Sequence, residues 1–322
     1  MKKTAFILTA LFISVSVSAC KEQPASSETP VSVSESSILA SVEESSEINS
    51  SDITVEESSN KPSIIEEVSL FEGNNLENYN HLVVNNKCRL LSYNGTEKKI
   101  VVPERVTVDG KEYETEIGAG CFKEKDIISL ILPDNITEIP DSMCESCKQL
   151  SEVKFSNVSS IGKKAFWKCE NFKFQLSELN NGNEAVLKKI GETAFGFSGI
   201  YGKVAVKSDM ELEAGSFQVC MKVNEVEICS GVTELPDRLF SECDDIEKVT
   251  LPDTLIKIGD YAFYQSKVPN IVIPQSVKEM GWLWITTNSV LGGKYTGVIL
   301  GYKGSAAETY AKDNDITFSA LD

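Results

Sequence analysis

Nine cysteines and one histidine are the side chains of this 322-residue chain best suited to chemistry. A cysteine acts as nucleophile, metal ligand or disulfide partner according to its neighbours. Cys144-x-x-Cys147 has the spacing of half a zinc site, but no second such pair follows. Cys147, Cys169, Cys220 and Cys243 instead share one position of a recurring phrase, with Ser198 and Ser266 at the equivalent places. Cys147/Cys169 and Cys220/Cys243 would then lie on adjacent rungs about 5 Å apart, a separation that a disulfide tolerates. Parallel Cβ directions and the substitution by Ser predict free, buried thiols that pack as small hydrophobes. His81 is the only imidazole, precedes the clear repeats, and reads as a surface or cap residue. There is no G-x-S-x-G elbow, no phosphate loop and no H-E-x-x-H. The acidic residues follow the polar positions of the repeat, and no pair stands out. A carboxylate-only, carbohydrate-acting hydrolase is the catalytic alternative that remains. The expectation is no enzyme, no cofactor and no metal.

Charge narrows the partners. Lys+Arg number 31 against 48 Asp+Glu, a net charge of −17 with a pI near 4.7. Nucleic-acid binders gain affinity by neutralising phosphates, so this balance excludes that class. It also excludes docking to anionic lipid through a basic patch. Hydrophobic residues make up 41% of the chain, enough for a core. At roughly 150 residues per domain the length would suggest two domains.

The N-terminus reads as an address. Lys2 and Lys3 precede an apolar stretch from Thr4 to about Val15, too short for a spanning helix and right for a secretory core. It ends Val17-Ser18-Ala19-Cys20, which resembles the bacterial lipobox. That resemblance implies a signal peptide over 1–19 and a lipid on Cys20, so that the mature protein is anchored rather than spanning. An ordinary secretory cleavage site with an incidental Cys is the alternative. Up to residue 67 follow 14 Ser, 11 Asp/Glu and two Lys (Lys21, Lys61) with no aromatic. Such a segment cannot bury enough apolar surface to offset its ordering entropy, so residues 20–67 are read as an acidic, disordered tether.

The remainder repeats. Short apolar runs such as Val249-Thr250-Leu251-Pro252 and Ile271-Val272-Ile273-Pro274 precede a fixed phrase, as in Lys257-Ile258-Gly259-Asp260-Tyr261-Ala262-Phe263. The aliphatic of that phrase, taken as a register mark, falls at Ile117, Ile139, Ile161, Ile190, Leu212, Leu235, Ile258 and Met280, at intervals of 22, 22, 29, 22, 23, 23 and 22. A period of 20–29 residues signals stacked units that share one core. Phe122, Phe166, Phe195, Phe217, Phe240 and Phe263 lie five after the mark and should form an aromatic column, with Cys144 as the less filled exception. Gly follows the mark at 118, 162, 191, 259 and 281, as expected where the chain bends.

These phrases resemble the BspA-type (treponemal-type) leucine-rich repeat, LxxIxIPxxVxxIGxxAFxxCxxL, over about residues 98–285. The resemblance implies a β-rich leucine-rich-repeat solenoid: a curved right-handed superhelix with a parallel sheet on its concave face, in about eight units of 22–23 residues. It also implies a bacterial surface protein, often adhesive. Residues 68–97, with Leu82-Val83-Val84 and Arg89-Leu90-Leu91, read as N-terminal cap strands. Residues 286–322 read as the C-terminal cap, with Ser305 and Glu308 opening a capping helix and Ile316-Thr317-Phe318 as a final strand.

Two local departures stand out. About six extra residues bulge near Ser177–Asn183, a place for neutral length change or for binding. Trp282 and Trp284 either close the open end of the core or offer an exposed anchor. The variable strand residues Ser129, Ile131, Glu152, Lys154, Glu225, Glu227, Lys248, Thr250, Asn270 and Val272 should face solvent, either as a plain solvated face or as the binding face. The acidic surface favours a basic or neutral protein partner. The expected function is a lipid-anchored, extracytoplasmic binding or adhesion module at the cell surface, recognising a protein or other cell-surface macromolecule. A structural role in envelope assembly is the alternative.

Overall fold

The computed structural model describes residues 75–182, 186–282, 284–285 and 295–321. The signal segment 1–19, Cys20, the tether to 67 and the start of the cap at 68–74 lie outside the described residues, as does Asn183 of the insertion. A 3₁₀ turn, Asn75–Asn78, leads into β1 (Tyr79–Val84), β2 (Lys87–Tyr93), β3 (Lys99–Val101), β4 (Arg105–Val108) and β5 (Lys111–Ile117). The repeats then supply β6 (Ser129–Ile131), β7 (Glu138–Ile139), β8 (Glu152–Lys154), β9 (Ser160–Ile161), β10 (Lys189–Ile190), β11 (Tyr201–Val206) and β12 (Glu211–Leu212). They continue through β13 (Lys222–Ile228), β14 (Glu234–Leu235), β15 (Lys248–Thr250), β16 (Lys257–Ile258), β17 (Asn270–Val272) and β18 (Glu279–Met280). The chain closes with β19 (Val298–Gly301), α1 (Ala306–Asp313) and β20 (Thr317–Ala320).

Each unit thus contributes one longer strand and one strand of two residues, except the unit of β10, whose longer strand is missing. The longer strands pair in parallel as β3-β6-β8, β11-β13-β15 and β17-β19-β20. The short strands stack as β7-β9-β10-β12 and β14-β16-β18, with the register-mark residues in line. The result is a β-solenoid of about ten turns, two more than the motif count. The difference has a physical source: β19 and β20, after the repeats, join the ladder as rungs without carrying the repeat phrase. The N-terminal cap is a mixed sheet, β1-β2-β5-β4, whose outer pairs are antiparallel.

The core follows the sequence pattern. All six column phenylalanines are fully buried. Phe166, Phe195, Phe217, Phe240 and Phe263 stack with centroids 5.4–5.8 Å apart and interplanar angles of 6–17°. Burying each contributes about 1.5–3 kcal/mol.

The turns after the short strands form a third side, held by a backbone device. The residues three and seven after the mark are left-handed in coil after coil: Ser142/Ser146, Lys164/Lys168, Thr193/Phe197, Arg238/Glu242 and Tyr261/Gln265, with φ between +52° and +63°. That twist sends alternate amides to the next coil. Ser142 N–H donates to Lys163 O (2.8 Å), Cys144 to Ala165 O (2.8 Å) and Ser146 to Trp167 O (2.7 Å). The same three bonds recur from Lys164, Phe166 and Lys168 to Glu192, Ala194 and Gly196.

The glycines after the mark are not bend residues. None of Gly118, Gly162, Gly191, Gly259 and Gly281 has positive φ. A Cβ on Gly191 would stand 2.7 Å from Lys163 N, and one on Gly259 2.7 Å from Asp237 N. Neighbouring coils approach too closely there for any side chain.

Candidate binding site

The sequence-predicted residues fall in two groups on the longer strands. Ser129 and Ile131 pair with Glu152 and Lys154 across β6 and β8. Glu225 and Glu227 pair with Lys248 and Thr250 across β13 and β15, and Asn270 and Val272 follow on β17. In each strand a less exposed residue stands between the pair, as with Leu130, Val226 and Ile271, so the named side chains lie on the outer side. Glu152, Lys154, Lys248, Thr250, Asn270 and Val272 are exposed, the other four half-buried.

The acidic groups of this face are neutralised locally. Lys203 on β11 lies 3.5 Å from Glu225 and 2.5 Å from Glu227. Lys248 lies 3.2 Å from Glu225, and Lys154 2.9 Å from Glu152. Burial alone would raise the Glu225 carboxyl, but hydrogen bonding and charge from Lys248 and Lys203 outweigh it and hold the group below its ordinary value. The face is therefore a lattice of paired charges. Lys203 was not among the predicted residues, although the repeat period places it in line with them.

The insertion separates the two groups. Its residues form a 3₁₀ helix, Leu176–Gly182, and between β8 and β11 the rung at Phe172–Phe174 has no strand geometry. A cleft of about 240 Å³ opens at this break, with Phe172, Phe174 and Leu179 on its apolar side and Glu152, Lys154, Lys173 and Glu178 as its charges. Glu178 is held in place, its Oε2 accepting from Gln175 N (2.7 Å). The cleft has no thiol and no imidazole in its lining. It is a small, open cleft lined about equally by polar and apolar surface, with charges of both signs.

The shared Cys/Ser position has a reason that the sequence did not show. Cys147 Sγ donates to Phe122 O (2.8 Å), Cys169 to Cys144 O (2.9 Å), Cys220 to Phe195 O (3.3 Å) and Cys243 to Phe217 O (3.2 Å). Ser266 Oγ donates to Phe240 O at 2.6 Å and accepts from Cys243 N at 3.1 Å. The position requires a small donor, and packing alone does not explain it. The eight described cysteines are buried and none is in a disulfide. Burial raises the thiols of Cys121 and Cys220 to about 12, whereas a hydrogen bond from Cys144 lowers Cys147 despite its burial.

His81 is exposed on β1, its Nδ1 3.3 Å from Tyr79 O. The tryptophans divide. Trp284 is fully buried against Phe263 and Tyr310 and closes the core, whereas Trp282 is 64% exposed and does not. Ser305 caps α1 as expected, its Oγ accepting from Glu308 N (3.4 Å). Glu308 answers to Gly304 N, one residue earlier than a standard box. No helix among the described residues is long and apolar enough to cross a membrane.

A family model described as the BspA type leucine rich repeat region matches residues 115–200 and 210–284 in six copies. A leucine-rich repeat protein from Bacteroides ovatus is similar in structure, with a TM-score of 0.53 at 19% identity over 75% of this chain and 65% of that one. A leucine rich cell surface protein from Faecalibacterium prausnitzii gives 0.43 at 24% identity over 70% of this chain. The chain spans about half, 53%, of that protein's length. Comparison with curated proteins finds no match.

Proposed function

Because the chain belongs to the BspA-type leucine-rich repeat family, we propose that it is a non-catalytic interaction module that works outside the cytoplasm. A signal peptide over 1–19 directs export, lipid on Cys20 anchors the protein, and the acidic segment to residue 67 lifts the solenoid from the membrane. The repeats then recognise a protein or other cell-surface macromolecule, in the manner of an adhesin. Binding runs along the outer side of the longer strands. The observation that carries this reading is the cleft at the break between β8 and β11, lined by Glu152 and Lys154, by Lys173 of the unstranded rung and by Glu178 of the insertion. A concave surface where charged groups converge beside apolar side chains can anchor and orient a partner's side chain. The charges of the remaining face are already paired and supply orientation more than affinity.

The test is retention by the full chain of extracellular-matrix and envelope proteins, with a Lys154→Glu, Lys173→Glu variant beside it. A partner that is retained by the native chain and lost from the folded variant supports the reading. Equal retention by both, or none by either, refutes it. A partner from the bacterium's own envelope would favour assembly over adhesion. Labelling with radioactive palmitate, lost in Cys20→Ser, tests the anchor.

A further inference from the structure

The turn side of the last repeats carries a cluster of rings that the strand-face reading does not use. Trp282 is the most exposed large hydrophobic residue described, at 64%. Its indole meets Tyr261 edge to face at 5.2 Å and 81°, and Tyr261 meets Tyr264 at 5.3 Å and 88°. The Arg238 guanidinium lies 5.4 Å over the Tyr261 ring. The rings are built on a fixed frame. Trp282 N–H donates to Asp260 Oδ1 (2.7 Å), and Asp260 N–H to Asp237 Oδ1 (2.9 Å). Tyr261 N–H donates to Trp282 O (3.1 Å) and Arg238 N–H to Asp260 O (2.9 Å).

Arg238 and Tyr261 hold φ of +56° and +58° at a position where two other coils use Gly120 and Gly215. The same conformation recurs at Ser142, Lys164 and Thr193, so it belongs to the turn column, which here presents an Arg and a Tyr side by side on consecutive coils.

We infer that Trp282, Tyr261 and Tyr264, with Arg238, Asp237 and Asp260 at the rim, form a binding site for a neutral carbohydrate. The apolar C–H face of a pyranose stacks on an exposed indole. Its hydroxyls need planar donors and acceptors beside the ring, which the guanidinium and the second oxygen of each exposed carboxylate provide. Size favours a sugar over a protein. Three rings of about 150–250 Å² each, two of them half-buried, expose a few hundred Å² at most. A stable protein interface takes about 800 Å² from each partner. The patch is bounded by the charged strands β14, β16 and β18, whose outward residues are Glu234, Lys257 and Glu279. Two carboxylates against one guanidinium disfavour anionic sugars. The perpendicular rings and the acidic chain do not suit stacked nucleobases. The site lies on a different side of the coil from the cleft and takes a different ligand, so it stands or falls separately.

The experiment titrates the full chain with cellohexaose, mannohexaose, maltohexaose and the N-acetylglucosamine hexamer. Intrinsic tryptophan fluorescence and calorimetry report binding, with sialyllactose as the anionic comparison. Saturable binding of at least one neutral hexasaccharide is expected. Trp282→Ala should weaken it by about tenfold or more and abolish the fluorescence response, and Tyr264→Ala should weaken it less. Thermal unfolding confirms that both variants are folded. Saturation by none of the four below about 10 mM, preference for sialyllactose, or unchanged binding by Trp282→Ala would each overturn the inference.

Discussion

Replacing Ser266 by Ala removes one oxygen and strands two backbone groups. Ser266 is fully buried, and its Oγ serves Phe240 O at 2.6 Å and Cys243 N–H at 3.1 Å. Each buried group left without a partner costs about 1–3 kcal/mol, and relief from burying the hydroxyl returns part of that. The expected loss is about 2–4 kcal/mol. In a protein of this size that lowers Tm by roughly 4–16 °C. Ser266→Cys keeps a donor of nearly the same shape, as four other coils do at this position, and should stay within about 1 kcal/mol of the native chain. Urea unfolding under reducing conditions, followed by circular dichroism, measures all three proteins. The reasoning fails if Ser266→Ala lies within about 0.5 kcal/mol of native, or if Ser266→Cys is no better than Ala.

Three further outcomes are expected. Gly191→Ala forces a Cβ against Lys163 N and should cost about 1–3 kcal/mol in the same urea assay, although Gly191 has ordinary φ. Trp284→Ala, which opens the buried end of the core, should cost about 3–5 kcal/mol, whereas Trp282→Ala should change Tm little. The Glu213 carboxylate accepts from Lys189 Nζ and Glu192 N, both at 2.9 Å, and is held below its ordinary value of 4.5. Because the folded value is the lower one, its stabilisation is complete above 4.5 and is lost as pH falls through the folded value. Thermal melts from neutral pH to about pH 3 should therefore decline less steeply for Glu213→Gln.

The stack was legible in the sequence because its signals are periodic and apolar. The register mark and the Phe column recur at fixed spacing, and both proved to be ladders of the core, buried except at Leu212 and Met280, which are half-buried. The short strands were not legible, since two residues such as Lys257–Ile258 carry no alternation to read. The glycines after the mark were read as bends because a sequence cannot distinguish a positive φ from a close approach of backbones. The left-handed positions were hidden for the opposite reason, being filled by Lys164, Arg238 and Tyr261 instead of glycine. The longer strands gave the predicted face, but the pairing of its charges depends on cross-strand distances such as Lys203 to Glu227. The insertion was visible as extra length. The cleft that it makes with β8 depends on how its 3₁₀ helix folds back.

The turn column also makes the solenoid electrically polar. From Gly120 to Phe263, the amides that cross between coils in this column point from each coil toward the next, and the carbonyls point back. Each such peptide carries about 3.5 D, and head-to-tail alignment adds them. Parallel strands contribute little to such a sum, since their peptide dipoles alternate. The column therefore has its positive pole toward the C-terminal end, the reverse of an α-helix, whose positive pole is N-terminal. A charged partner meeting the two ends of this stack would find different fields even where the side chains matched.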